Sequence, residues 1–462
     1  MGRVRASRVG IGSTVRPLLP ACADVFAALN CPIIERVGAV PPDPGSRFQV
    51  DNAGTAVDNM RSIGASQVAP IACLAKKECA VTLTKSRARR TCLRLGLCCA
   101  LAATMSVLAL AQTAPVYKVD ASWPKLPLPN KWTFGGVTGL TVDSEDVVWV
   151  AQRPAVDDTE DYATFDPPKA SCCVPSESIL AFDPEGNLLH AWSDPDVTGE
   201  QHMLLVDQKG QVWVGSDTFR IYTKEGKLLQ TMPRTPRTGG GRGGRLRGQE
   251  TPFPASIELI VGAIEGADFD EPAREVYLTD SYLGGRILVF DMDTLQFKRG
   301  WGAYGKPLGE ISLEPRQPLV DPTKTVNAPN KDFVSHITIA VSRDGIVYAA
   351  DRRADRIQTF TKQGKFLNEY FVAPETLDRG SAGGMAFSAD PAQRFLFVSD
   401  IMNNVVWQLN RADMKVLGSF GYAGRNAGGF HWLHMIATDS QGNIYTGEVD
   451  TGRRIQKFVL QP

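Results

Sequence analysis

The amino-acid sequence predicts an all-β protein, a six-bladed β-propeller, preceded by a signal peptide. Three observations carry this prediction. A strand–turn–strand unit recurs six times between residues 137 and 448. Glycine (43) and proline (30) together make up about 16% of the 462 residues, above the usual ~12%, which favours a turn-rich β chain over a helix bundle. A basic segment followed by an uncharged apolar run separates the repeats from everything upstream.

That upstream region comes first. Residues 1–85 show no period of 2 or 3.6 and are broken by Pro and Gly, so they read as an unstructured leader or a gene-model artefact. Residues 86–111 read as a signal peptide. Arg87, Arg89, Arg90 and Arg94 lead into the apolar run from Leu95 to Ala111, which ends in Ala109-Leu110-Ala111, a pattern a signal peptidase accepts. The run of 17 residues is short for a membrane span, which needs ~20, and no basic stop-transfer flank follows. The mature chain would therefore be residues 112–462, secreted or periplasmic, with no membrane association after cleavage. Seven of the nine cysteines precede residue 100; Cys172 and Cys173 remain and are expected to be two free loop thiols.

The six copies are VTGLTVDSEDVVWVAQR (137–153), HMLLVDQKGQVWVGSD (202–217), GADFDEPAREVYLTD (266–280), HITIAVSRDGIVYAAD (336–351), GMAFSADPAQRFLFVSD (384–400) and HMIATDSQGNIYTGE (434–448). Each is an apolar strand, an Asp- or Gly-rich turn and a second strand anchored by an aromatic: Trp149, Trp213, Tyr277, Tyr348, Phe397 or Tyr445. A further hairpin follows most copies, as in RIYTKEGKLLQT (220–231) and RIQTFTKQGKFLNEY (356–370). A blade of four strands takes about 40–50 residues, and closing six of them removes every exposed sheet edge. The sixfold repetition argues against an eight- to ten-stranded sandwich. The last copy ends at RIQKFVL (454–460) without a fourth strand, and VYKVD (116–120) is placed to supply it.

Fifty basic and fifty acidic residues balance, which argues against nucleic acid as a partner. The five arginines of RTPRTGGGRGGRLRG (234–248) fit a solvated loop better than a polyanion grip. Residues 303–332 are Pro-rich and are expected to cover one face.

Three of the five histidines open a repeat. His202 and His434 stand 11 residues before the anchoring aromatic and His336 stands 12 before it, in the second, fourth and sixth copies. Thr138, Gly266 and Gly384 take that position in the other copies. First strands line the channel of a propeller, and alternate blades are 120° apart. Three imidazoles would then converge on one axial point, the ligand geometry of a zinc site with an open fourth position; Cu, Ni or Fe would also suit imidazoles. The opposing reading makes each a channel-lining polar group bonded to water or backbone. His190 and His431 fall outside the register and are expected at the surface or behind the site. Arg153 and Tyr282 follow second strands; beside a divalent cation a phenol's pKa falls, so Tyr282 could act as a base while Arg153 holds a carboxylate.

With these residues in view, the chain resembles an NHL-repeat propeller. Within that class it is similar to the peptidyl-α-hydroxyglycine α-amidating lyase (peptidylamidoglycolate lyase) family. The resemblance covers roughly residues 130–460 and is distributed over the six copies. It implies zinc on His202, His336 and His434, a catalytic arginine at Arg153 in VWVAQR, and a catalytic tyrosine at Tyr282 in DSYLGGRI. The implied reaction cleaves a carbinolamide C–N bond to an amide and glyoxylate, with a small-molecule or peptide substrate and a monomeric enzyme. Gln201, Ser335 and Leu433 replace the family's prolines before each zinc histidine, and Trp432 stands near where a methionine is usual. Met435 replaces the aspartate used for calcium and the family's disulfide cysteines are absent, so zinc is expected and calcium is doubtful. Two other readings stay open: a non-catalytic propeller binding a protein or glycan, and a metal-dependent hydrolase.

Overall fold

The structure, a computed structural model, describes residues 113–154, 170–195, 197, 201–236, 253–281, 285–311, 331–333 and 336–462. The leader, the signal segment, Tyr282 and most of both long insertions lie outside the described residues. Among the described residues no helix is long and apolar enough to cross a membrane.

The described chain forms six four-stranded antiparallel sheets, each running from an inner to an outer strand. Blade 1 comprises Gly136–Val142, Val148–Arg153, Ile179–Phe182 and Leu188–Trp192. Its third and fourth strands follow an insertion, which is why the repeat reading did not reach them. Blades 2 to 5 begin with inner strands Met203–Val206, Ala263–Asp270, Ile337–Val341 and Met385–Phe387. Blade 6 holds Leu433–Thr438, Ile444–Glu448 and Arg454–Leu460, and takes its outer strand from Tyr117–Asp120 at the opposite end of the fold. The expected latch is therefore present. Each inner strand packs beside the next, and the sixth packs beside the first, closing the ring.

The anchoring aromatics lie where adjacent sheets meet. Trp149, Trp213, Tyr277, Phe397 and Tyr445 are fully buried and Tyr348 nearly so. Burying such a side chain contributes roughly 3 kcal/mol, provided its polar atom keeps a partner. The Asp-rich turns supply that partner. Asp143 accepts from Trp149 Nε1 at 3.0 Å, Asp207 from Trp213 Nε1 at 3.2 Å and Asp439 from the Tyr445 hydroxyl at 3.2 Å. One aspartate thus both closes the hairpin and satisfies the core aromatic six residues on.

Hydroxyls near the axis tie blade to blade. Thr138 donates to the Gln201 carbonyl at 2.7 Å, Thr279 to Ile337 at 2.7 Å, Thr338 to Gly383 at 2.6 Å and Ser399 to His434 at 2.8 Å. Cys172 and Cys173 are joined in a vicinal disulfide, which corrects the expectation of two free thiols. Arg234, the first arginine of the Gly/Arg stretch, faces inward rather than to solvent. It donates to the carbonyls of Asp217 and Val261 and so anchors the base of that insertion.

Candidate functional site

The three histidines stand at or just before the starts of inner strands, so chain direction alone puts them at one end of the channel. His202 immediately precedes the strand of blade 2, and its backbone N–H bonds the Gly215 carbonyl at 2.8 Å. His434 sits in the inner strand of blade 6, where the ladder register shifts between Leu433 and Met435. That bulge frees the residue from regular pairing and re-aims its side chain. His336 adopts φ +57°, a left-handed conformation that costs a β-region residue about 1 kcal/mol or more, as the chain turns into blade 4.

The imidazoles of His202 and His434 meet edge to face, with ring centroids 4.9 Å apart at 70°. Nδ1 of His336 lies 2.6 Å from Oε1 of Glu265. Glu265 in turn groups with the histidine pair: one ligand atom each from His202, Glu265 and His434 lie within 4.8 Å of one another, and all three residues are buried. The three histidines therefore border one cluster, and a carboxylate stands among them.

Glu265 was missed in the sequence. A bulge in the inner strand of blade 3, between Ile264 and Ala267, carries Glu265 and Gly266 out of the ladder. Gly266 is required there, because a Cβ would lie 2.6 Å from the Thr338 Cα of the neighbouring blade. The signal was available: Glu265 stands 12 residues before Tyr277, the spacing of His336 to Tyr348, whereas Gly266 is the residue found at 11.

Buried cations surround the cluster. Arg153 ends the second strand of blade 1 and is 6% exposed; Arg352 follows the second strand of blade 4 and is 5% exposed. Burial pushes His202 well below the ordinary histidine pKa, and the charges of His434, Arg153, His336 and Arg352 push it further. Burial does the same to His434, with Arg352 and Arg153 next. His336 is lowered by burial as well, but Glu265 opposes the shift. Neutral imidazoles with free lone pairs are the metal-binding form.

The donor set fits a divalent cation. Among the described residues neither Oε2 of Glu265 nor Nδ1 of His434 has a hydrogen-bond partner, although both atoms are buried. A carboxylate oxygen left so costs about 1–3 kcal/mol or more, which a cation in front of it would offset.

Tyr282 lies outside the described residues. Its neighbours show how the segment is anchored. Asp280 accepts from the backbone N–H groups of Val261 (3.0 Å) and Gly262 (2.7 Å) and pairs with Arg286 at 2.9 Å, both side chains being fully buried. His190 stacks on Trp149 in the outer strand of blade 1, away from the cluster. His431 bonds Thr451 Oγ1 at 2.9 Å. Beyond the cluster the channel widens into a funnel of 530 Å³ towards the opposite face, with Met203, Gly266, Thr338, Gly384 and Met435 in its wall.

Fold and site define a class: a six-bladed β-propeller with a buried His/Glu cluster at one end of its channel. No protein-family model matches the chain, and no curated protein matches it in sequence. Among solved structures it is similar to virginiamycin B lyase from Staphylococcus aureus, at 15% identity and a TM-score of 0.41 over 75% of this chain and 90% of that one. It is also similar to a streptogramin B lyase (16%, 0.41, 75% and 88%). A third is a structural genomics protein of unknown function from Bacteroides thetaiotaomicron (14%, 0.43, 71% and 70%). Identities this low carry nothing about chemistry.

Proposed function

We propose that the protein is an exported, metal-dependent propeller lyase that cleaves a carbinolamide C–N bond to an amide and glyoxylate. The observation that carries the reading is the buried cluster of His202, Glu265 and His434, with His336 against it and the charges of Arg153 and Arg352 acting on it. Zinc is the cation proposed; when bound it would act as a Lewis acid and lower the pKa of a substrate hydroxyl. The protein's own residues divide the remaining work. Arg153 neutralises the carboxylate that becomes glyoxylate, and its burial strengthens that interaction. Tyr282, assigned through the family resemblance, takes the hydroxyl proton as its phenolate. The carbon–oxygen double bond forms, the C–N bond breaks, and the same phenol returns the proton to the departing amide nitrogen.

Metal analysis of the purified protein, with a glyoxylate assay on an α-hydroxyglycine-extended peptide, tests this reading. About one tightly held divalent ion per chain, and glyoxylate release lost in Tyr282→Phe, are expected. A metal-free, inactive protein would leave a binding propeller instead. A metalloprotein that releases no glyoxylate but opens lactones would point to a hydrolase.

A further inference from the structure

The cluster contains one ligand more than an imidazole-only site needs, and the geometry ranks the four. We infer that Glu265, rather than His336, is the third protein ligand beside His202 and His434, and that His336 is a positioning residue acting through Glu265. The inference rests on the proposed metal site and deepens it.

Three observations argue for this assignment. Ligand atoms of His202, Glu265 and His434 already lie within 4.8 Å of one another. A tetrahedral ion with bonds of ~2.1 Å holds its ligand atoms about 3.4 Å apart, so these atoms need to close by at most about 1.4 Å, a distance that small side-chain rotations cover. The two oxygens of Glu265 are also differently placed. Oε1 is taken by Nδ1 of His336 at 2.6 Å, while Oε2, buried on a residue 1% exposed, has no hydrogen-bond partner among the described residues. An anion held in this way directs its second oxygen at a cation. Finally, His336 is only partly buried whereas His202 and His434 are buried, so His336 stands at the rim of the cluster. Its Nδ1–H orients the ligating carboxylate, the role outer hydrogen-bond partners play around metal ligands.

Two imidazoles and a carboxylate form a different site from three imidazoles. The set carries one negative charge, so it binds the harder divalent ions, Co²⁺ and Mn²⁺, better than a neutral set does, while still suiting zinc.

The test is titration of the metal-stripped full-length protein with Co²⁺, read by its visible absorption. Wild type, His202→Ala, His434→Ala, Glu265→Gln, His336→Ala and His336→Asn are compared, with thermal melting confirming that each variant folds. Glu265→Gln, nearly isosteric, is expected to lose more than about 100-fold in affinity, as His202→Ala and His434→Ala do. His336→Ala is expected to lose about 10–100-fold, the range for an outer partner, with the cobalt spectrum unchanged in shape. His336→Asn, whose amide can still donate to Glu265, should recover most of that loss. If Glu265→Gln binds like wild type while His336→Ala fails as completely as His202→Ala, and Asn does not rescue it, the three-imidazole set stands and this inference falls. If wild type binds no Co²⁺ or Zn²⁺ at all, the metal reading itself fails.

Discussion

Tyr117 lies opposite Leu460, so the first described strand and the last are joined in one antiparallel ladder that runs from Tyr117 to Asp120 against Lys457 to Leu460. Among the described residues this is the only pairing within a blade that joins strands from opposite ends of the chain, and it makes the ring's closure depend on residues 337 to 343 positions apart. The Tyr117 ring also packs on Phe397 at 5.7 Å and Phe420 at 5.2 Å, so the latch ties blade 6 to blade 5 as well.

Tyr117→Ala is therefore expected to destabilise the whole propeller, not only its last sheet. The half-buried ring gives an expected cost of about 2 kcal/mol. Urea unfolding followed by tryptophan fluorescence and by circular dichroism should shift together. A separate early transition for blade 6 would show that the latch is not part of the cooperative unit.

Gly226 and Gly210 make a matched pair of hairpin glycines. Gly226 has φ +85°, and a Cβ there would lie 2.6 Å from the Trp192 ring of the preceding blade. Gly210 has φ +73°, but its nearest obstacle is the flexible end of Lys224 at 3.3 Å. Both alanine variants carry the cost of a left-handed residue, about 1 kcal/mol. Gly226→Ala adds a clash with a packed ring, so its midpoint in urea should fall by at least twice as much as that of Gly210→Ala.

Asp268 faces the funnel beside Asp270 and accepts the Val341 N–H of the next blade at 2.7 Å. Burial raises its pKa from 3.8 to about 6, partly opposed by backbone hydrogen bonds from Val341 and Phe269. Between about pH 4 and 6 the folded state thus binds more protons than the unfolded one, and stability falls as pH rises through that window. Asp268→Asn keeps an acceptor for Val341 and cannot ionise. It should be more stable than wild type at pH 8 by roughly 3 kcal/mol and equal to it near pH 4. An unchanged difference between the two at both pH values would refute this.

Arg153→Lys keeps the charge but loses the planar fork that matches a carboxylate. Glyoxylate release should drop by about 10²-fold in kcat/KM while metal content stays at the wild-type level. Loss of metal together with activity would instead make Arg153 a structural support of the cluster.

Much of this molecule was legible in its residues. Strand periodicity, the aspartate six residues before each anchoring Trp or Tyr in copies 1, 2 and 6, and the orphan strand VYKVD all encode the ring directly, because each is a local pattern with a fixed geometric meaning. The spacing of His202, His336 and His434 pointed to the channel end for the same reason. Blade 1's outer hairpin was hidden because an insertion breaks its spacing from the second strand.

Glu265 required the fold. A bulge changes which residue faces the axis by one position, and its presence depends on how close the neighbouring backbone comes at Gly266 rather than on any local pattern. The amino-acid order alone determined the number of blades, their closure and the three histidines at one end. Only the packed ring decided that a carboxylate from blade 3 stands beside the imidazoles of blades 2 and 6, since contacts between residues that far apart exist only once the sheets have closed around a common axis.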